Sequence, residues 1–145
     1  MNVTISELMV EAVFTASPWH TVGEVKALMT KQRIHSVPVV DEEGTPLGIV
    51  TTSDLLTYKN PGTPISELMS TDIKTIPRYS GPHLAARVMR NSKIHHLLVT
   101  HEKKLVGILS TFDLLRLIED HRFVAKNAPE DKKTRSRRVP AEKKE

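Results

Sequence analysis

Apolar residues recur at helical spacing in two stretches, Val22, Val25, Leu28 and Met29, and again Leu84, Ala85, Val88 and Met89, so each predicts a helix with one buried face. The first stretch opens on the capping box Thr21-x-x-Glu24, and the second on Pro82 at its first helical position. Each is followed by a run too short and too β-branched for a helix. Residues 37–40, the turn Asp41-Glu42-Glu43-Gly44 and residues 47–50 predict a hairpin, and a second hairpin is expected around His101-Glu102-Lys103-Lys104. Short β-rich pieces precede the helices at residues 13–15 and 73–76, and closing helices are expected at about 52–58 and 111–120. The pattern reads β-α-β-β-α, twice.

The duplication is also literal. Ile5-Ser6-Glu7-Leu8-Met9 returns unchanged as Ile65-Ser66-Glu67-Leu68-Met69, and the same offset of 60 pairs Thr15 with Thr75 and Ile34-His35 with Ile94-His95. With a turn one residue shorter, Gly48-Ile49-Val50-Thr51-x-x-Asp54 pairs with Gly107-Ile108-Leu109-Ser110-x-x-Asp113. These boundaries give a first unit over residues 1–60, a second over 61–120 and a tail over 121–145. A unit of this size buries only about 60% of its chain surface on folding, so the two copies are expected to pack against each other, sheet to sheet, about a pseudo-twofold axis. Ligands of paired units bind where the copies meet.

The glycine-to-aspartate motif has two readings. A hydroxyl three residues before an acid caps any helix. A hydroxyl, an acid and free N–H groups at a helix start also suit an anion beside a diol, because the helix N-terminus attracts phosphate and a carboxylate accepts from ribose hydroxyls. Aspartate in both copies, where a cap alone favours Glu or Gln, weighs toward the second.

With these motifs in both copies, together with Ile34-His35-Ser36-Val37-Pro38-Val39-Val40, the chain resembles a tandem pair of cystathionine-β-synthase (CBS) domains, a Bateman module, over about residues 3–120. The resemblance implies an α/β fold with a small three-stranded sheet per unit. It also implies clefts between units that take AMP, ADP, ATP or S-adenosylmethionine, and frequent pairing into flat dimers. Carried over, it places the ribose-binding acid at Asp54 and Asp113, the preceding hydroxyl at Thr51 and Ser110, and a threonine near base and ribose at Thr15 and Thr75. In the regulatory subunit of AMP-activated kinase a His-Arg pair meets the phosphates. His35 and His95 match that histidine, Ser36 and His96 stand where the arginine would be, and Leu98 replaces the first copy's Pro38. Losing the arginine fork removes a bidentate phosphate contact, which weighs against a highly phosphorylated ligand.

Composition narrows the alternatives. The absence of cysteine excludes disulfides, thiolate metal sites and a cysteine nucleophile. No apolar run is long enough for a transmembrane helix, no secretory signal is expected at the start, and the expected address is the cytoplasm. No phosphate loop, dinucleotide fingerprint, zincin helix or nucleophile elbow is present, so the chain is expected not to be an enzyme and to need no cofactor. Adjacent His95 and His96 would point to opposite faces of a strand, which argues against a shared metal ion. Trp19 and Tyr79 precede their helices at matching positions and are expected to serve local packing.

Charge is unevenly placed: the tail carries nine basic and four acidic residues, net +5, and residues 1–120 carry 12 basic and 13 acidic, net −1. A tail so polar is expected to be disordered, and it makes DNA or RNA binding the main alternative function, with a purely structural dimerisation module as a third. A homodimer is expected through apolar helix faces around Leu8, Met9, Leu68 and Met69, and any regulation is expected to act on a partner protein in trans.

Overall fold

A computed structural model describes residues 2–121, and all of the expected tail except His121 lies outside the described residues. The elements are α1 (Ile5–Leu8), α2 (Val22–Gln32), β1 (Ser36–Val40), β2 (Pro46–Thr51), α3 (Thr52–Leu56), β3 (Thr75–Pro77), α4 (Pro82–Ser92), β4 (His96–His101), β5 (Lys104–Ser110) and α5 (Thr111–Glu119), with a 3-10 turn at Ile65–Glu67. Thr21 caps α2 through the capping box with Glu24, and Pro82 stands at the start of α4. The architecture is mixed α/β, doubled as the repeat requires.

The two sheets are not identical. In the second unit β3 pairs parallel with β4, which pairs antiparallel with β5, giving the expected three strands. The first unit has a two-stranded sheet, β1 with β2, and residues 13–15 form no strand; only an isolated parallel bridge joins Ala16 to Val39. The cause is two prolines: Pro18, which matches Arg78, the donor of an N–H to the Thr100 carbonyl at 3.0 Å, and Pro38. Leu98 donates its N–H to the carbonyl of Lys74 at 3.2 Å, whereas the matching residue in the first unit is Pro38, which has no N–H to give. The pairing there stops at Ala16 N–H to Pro38 (3.0 Å) and Val40 N–H to Ala16 (2.9 Å). The closing helix α3 is also shorter than expected and ends at Leu56.

Two hydrophobic cores form, and each is completed by the other copy. Ile65 (0% exposed) joins the core of Val22, Val25, Met29, Val37, Val39 and Val50, while Ile5 (0%) and Leu8 (5%) join that of Ile76, Ala85, Met89, Leu97, Val99 and Leu109. Backbone bonds repeat the exchange with the same offset: Ile5 N–H to Ser80 (2.9 Å) and Ser6 N–H to Arg78 (3.1 Å), against Ile65 N–H to His20 (2.7 Å) and Ser66 N–H to Pro18 (3.0 Å). Beyond each string the chain pairs antiparallel with the other unit's outer strand, Val10 with Ile108 and Ser70 with Ile49. The expectation that Leu8, Met9, Leu68 and Met69 are free to cover a second molecule is therefore corrected. Leu8 is buried, and Met9, Leu68 and Met69 pack against the two cores.

The hairpin ends meet as well. Gly44 adopts φ +88°, which the first turn requires of a residue without Cβ, and its carbonyl accepts from Leu105 N–H at 2.9 Å. Lys104 Nζ donates to the neighbouring Glu43 carbonyl at 2.6 Å.

Candidate functional site

Each outer strand runs straight into a helix. Thr51 ends β2 and caps α3, and Ser110 ends β5 and caps α5. In the first pair Asp54 Oδ2 accepts from Thr51 N–H (2.8 Å) and from its hydroxyl (3.1 Å). In the second, Asp113 Oδ2 accepts from Ser110 N–H at 2.8 Å, and Ser110 Oγ accepts from Asp113 N–H at 3.1 Å. Both aspartates thus complete the capping boxes of Thr51 and Ser110, and aspartate in place of glutamate does not by itself separate the two readings of the motif. Each leaves its second oxygen, Oδ1, without a hydrogen bond among the described residues.

The histidines arrive from the opposite direction. Arg33 and Lys93 adopt left-handed conformations (φ 57° and 56°) that stop α2 and α4, and the turn delivers His35 and His95 to the edges of β1 and β4. The carbonyls of these histidines accept from Thr52 N–H (3.0 Å) and Thr111 N–H (2.9 Å), which fixes each loop to a helix start.

Two clefts result, and each mixes the copies. The first, about 340 Å³, sets His35 and Ser36 of the first copy beside Ser110 and Asp113 of the second, with Val13, Phe14 and His96 completing the wall. The second, about 290 Å³, sets His95 and His96 of the second copy beside Thr51 of the first, with Ile73, Lys74 and Asp72. Asp54 reaches this second cleft only through its bonds to Thr51. Both clefts are small for a ligand site yet near the lower end of the range that holds one. Thr15 lines a separate hollow with His20 and Glu24, and Thr75 is exposed on β3, so neither lines the two clefts.

Phe14 and Lys74 were not singled out by motif. The 60-residue offset that pairs Thr15 with Thr75 and His35 with His95 pairs them too, and it is the signal that finds them. They make the clefts differ: an aromatic ring lies in one, and in the other a lysine whose Nζ stands 3.1 Å from Asp72 Oδ1. Larger surface hollows lie beside Trp19 (about 430 Å³) and Tyr79 (about 490 Å³), but neither is lined by Thr51 and Asp54 or by Ser110 and Asp113. Trp19 stacks on His20 with ring centroids 4.3 Å apart, and Tyr79 meets His101 edge-on at 5.3 Å.

His96 lies in the walls of both clefts. Desolvation chiefly, with repulsion from His95, lowers its pKa below the usual imidazole value against the attraction of Asp113. Among the described residues no cluster of three or more metal-ligating side chains forms, and no helix is long and apolar enough to cross a membrane.

Comparison with known proteins places this arrangement. The chain is 30% identical over 134 residues to an uncharacterized protein of Methanocaldococcus jannaschii, covering 80% of this chain but only 32% of that protein, so it spans about a third of that relative's length. Among solved structures it is similar to that of a Vibrio cholerae protein described as acting in acetoin utilization (AcuB), with TM-score 0.74, 30% identity and coverage of 85% of this chain and 100% of that one. The CBS domain pair of protein MJ0100, in complex with 5-methylthioadenosine and S-adenosyl-L-methionine, superposes with TM-score 0.73 at 23% identity over 82% of this chain and 98% of its own. CBSX2, in complex with AMP, gives TM-score 0.71 at 23% identity over 80% and 96%. A CBS domain model matches residues 5–60 and again residues 65–120, and by that double match the chain belongs to the CBS domain family, as a tandem pair.

Proposed function

We infer that this CBS pair is a regulatory module that binds an adenosine-containing ligand, AMP, ADP, ATP or S-adenosylmethionine, in its two clefts and signals the occupancy to a partner protein. The observation that carries this reading is the crossed construction of the clefts. A ligand held at once by the Ser110–Asp113 helix start of one unit and the His35 loop of the other draws the units together. Occupancy then shifts their relative tilt, a change a partner can sense. The structures similar to this one that contain AMP, or 5-methylthioadenosine with S-adenosyl-L-methionine, support the ligand class. The residues assigned to the ligand are His35, Ser110 and Asp113 in one cleft and His95, Thr51 and Asp54 in the other, with His96 beside both and Thr15 and Thr75 at greater remove.

The module is proposed to act as a homodimer. Leu56 on α3 and Phe112, Leu115 and Ile118 on α5 are exposed, and the last three recur every three residues along one helix face, a stripe a second copy can cover. A second reading, attachment to DNA or RNA through the tail, rests on its net charge of +5.

Mass spectrometry of small molecules released from the purified protein, followed by calorimetry with AMP and S-adenosylmethionine, tests the ligand class. Release of an adenosyl compound and saturable binding are expected; no release and no heat with either would overturn the reading.

A further inference from the structure

Among the described residues, His96 alone stands in the walls of both clefts. Its counterpart in the repeat, Ser36, lines the first cleft alone, so the pseudo-symmetry breaks at this position. His96 begins β4 directly opposite Ser110, the residue that caps α5. The charged and titratable groups around it are Asp113 from α5, its neighbour His95, His35 in the first cleft, and Asp72 with Lys74 in the second, these last two joined in an ion pair.

An imidazole has two nitrogens. In the neutral form one donates and the other presents a lone pair; in the cation both donate. A neutral His96 that donates to an anion in one cleft therefore turns a lone pair toward the other. A protonated His96 can serve an anion in each. On this basis we propose that His96 couples the two clefts, so that phosphorylated ligands compete for it at alkaline pH and fill both clefts together as the pH falls.

The proposal rests on the clefts being adenosyl sites, and it adds a regulation of those sites. Because the free imidazole resists protonation through desolvation, filling the second cleft takes up a proton at neutral pH. His35 and His95 each line one cleft, so neither reaches an anion in both.

The test is calorimetry of the full chain with AMP at about pH 6.5 and about pH 8.5, where its phosphate is largely dianionic throughout, in buffers of differing ionisation enthalpy so that proton uptake is read directly. The quantity of interest is the ratio of the second to the first dissociation constant. It is expected to rise from the lower to the higher pH, by at most about tenfold for each unit by which bound phosphate raises the His96 pKa. His96→Gln should hold the ratio constant with pH and remove proton uptake from the second step, while His35→Gln and His95→Gln should keep the pH-dependent ratio. Adenosine, which has no phosphate, should show no pH dependence of the ratio.

A ratio that is the same at both pH values in the parent protein, or whose pH dependence survives in His96→Gln, overturns the coupling while leaving the adenosyl reading standing. Absence of binding by AMP, adenosine and S-adenosylmethionine alike overturns both.

Discussion

Met9 rests on Gly107. A Cβ added at residue 107 would overlap the Met9 sulfur and stand 2.9 Å from its Cγ and 3.0 Å from the Val10 carbonyl oxygen. The other half repeats the contact, with a Cβ at Gly48 falling 2.7 Å from the Ser70 carbonyl and 2.9 Å from Met69 Sδ. These glycines are the points at which each copy's opening string lies on the other copy's strand, and a methyl group there wedges the two apart. Gly48→Ala and Gly107→Ala should each destabilise the fold by about 1–3 kcal/mol. Gly48→Ala should cost more, because its nearest obstacle is backbone rather than a flexible thioether. Urea denaturation measures both.

The paired aspartates carry two duties that separate experimentally. As capping-box partners that accept from the cap N–H, Asp54→Ala and Asp113→Ala should each cost about 1 kcal/mol of stability in thermal melts. As ligand groups, each should weaken one cleft by roughly 10- to 150-fold, the loss of a charge-assisted hydrogen bond. Since Asp113 lines the first cleft and Asp54 reaches the second through Thr51, calorimetry with AMP should show the loss in a different cleft for each variant.

Acid should weaken the fold through His96 before it does so through the carboxylates. The folded pKa of His96 is lowered, chiefly by desolvation, so the unfolded chain binds the proton more readily and stability falls as the pH drops below the unfolded value. His96→Gln should flatten the decline in melting temperature between about pH 7 and about pH 5. Glu24 acts in the same direction at lower pH. The backbone N–H of Thr21 lowers its pKa, so its contribution is present above the ordinary carboxylate value and lost as pH falls through the folded one, and Glu24→Gln should remove that part of the decline.

Leu115→Glu, in the centre of the exposed stripe on α5, should convert the proposed dimer to a monomer by light scattering without lowering the melting temperature of the monomeric unit. A charge at Leu56 on α3 should have a similar effect if both helices share the contact.

Most of the elements were legible because each is written locally. The Thr21-Glu24 box, Pro82 and the turn at Gly44 fix helix and hairpin ends without help from the rest of the chain. The missing third strand was legible in principle, since Pro38 and Pro18 forbid the bonds that Leu98 and Arg78 make, but the apolar pattern of residues 13–15 outweighed the two absent N–H groups. The crossing of the two copies was not legible at all. Ile5 and Ile65 sit in identical strings, and no local feature states whose core each will fill. For the same reason grouping site residues by copy separates partners the fold unites, such as His35 with Asp113.

The exchange of opening strings also determines what a fragment can do. Cleavage within residues 57–64 would leave two pieces still clasped, because Ile5 and Leu8 lie in one core and Ile65 in the other. Residues 1–60 expressed alone would present an unfilled slot at Gly48 and an unhoused plug at Ile5. A second identical fragment satisfies both at once, so the half-length chain is expected to assemble as an obligate pair whose members trade strings. The covalent link between the halves then makes that partnership intramolecular and allows the two halves to carry different residues at positions such as Ser36 and His96.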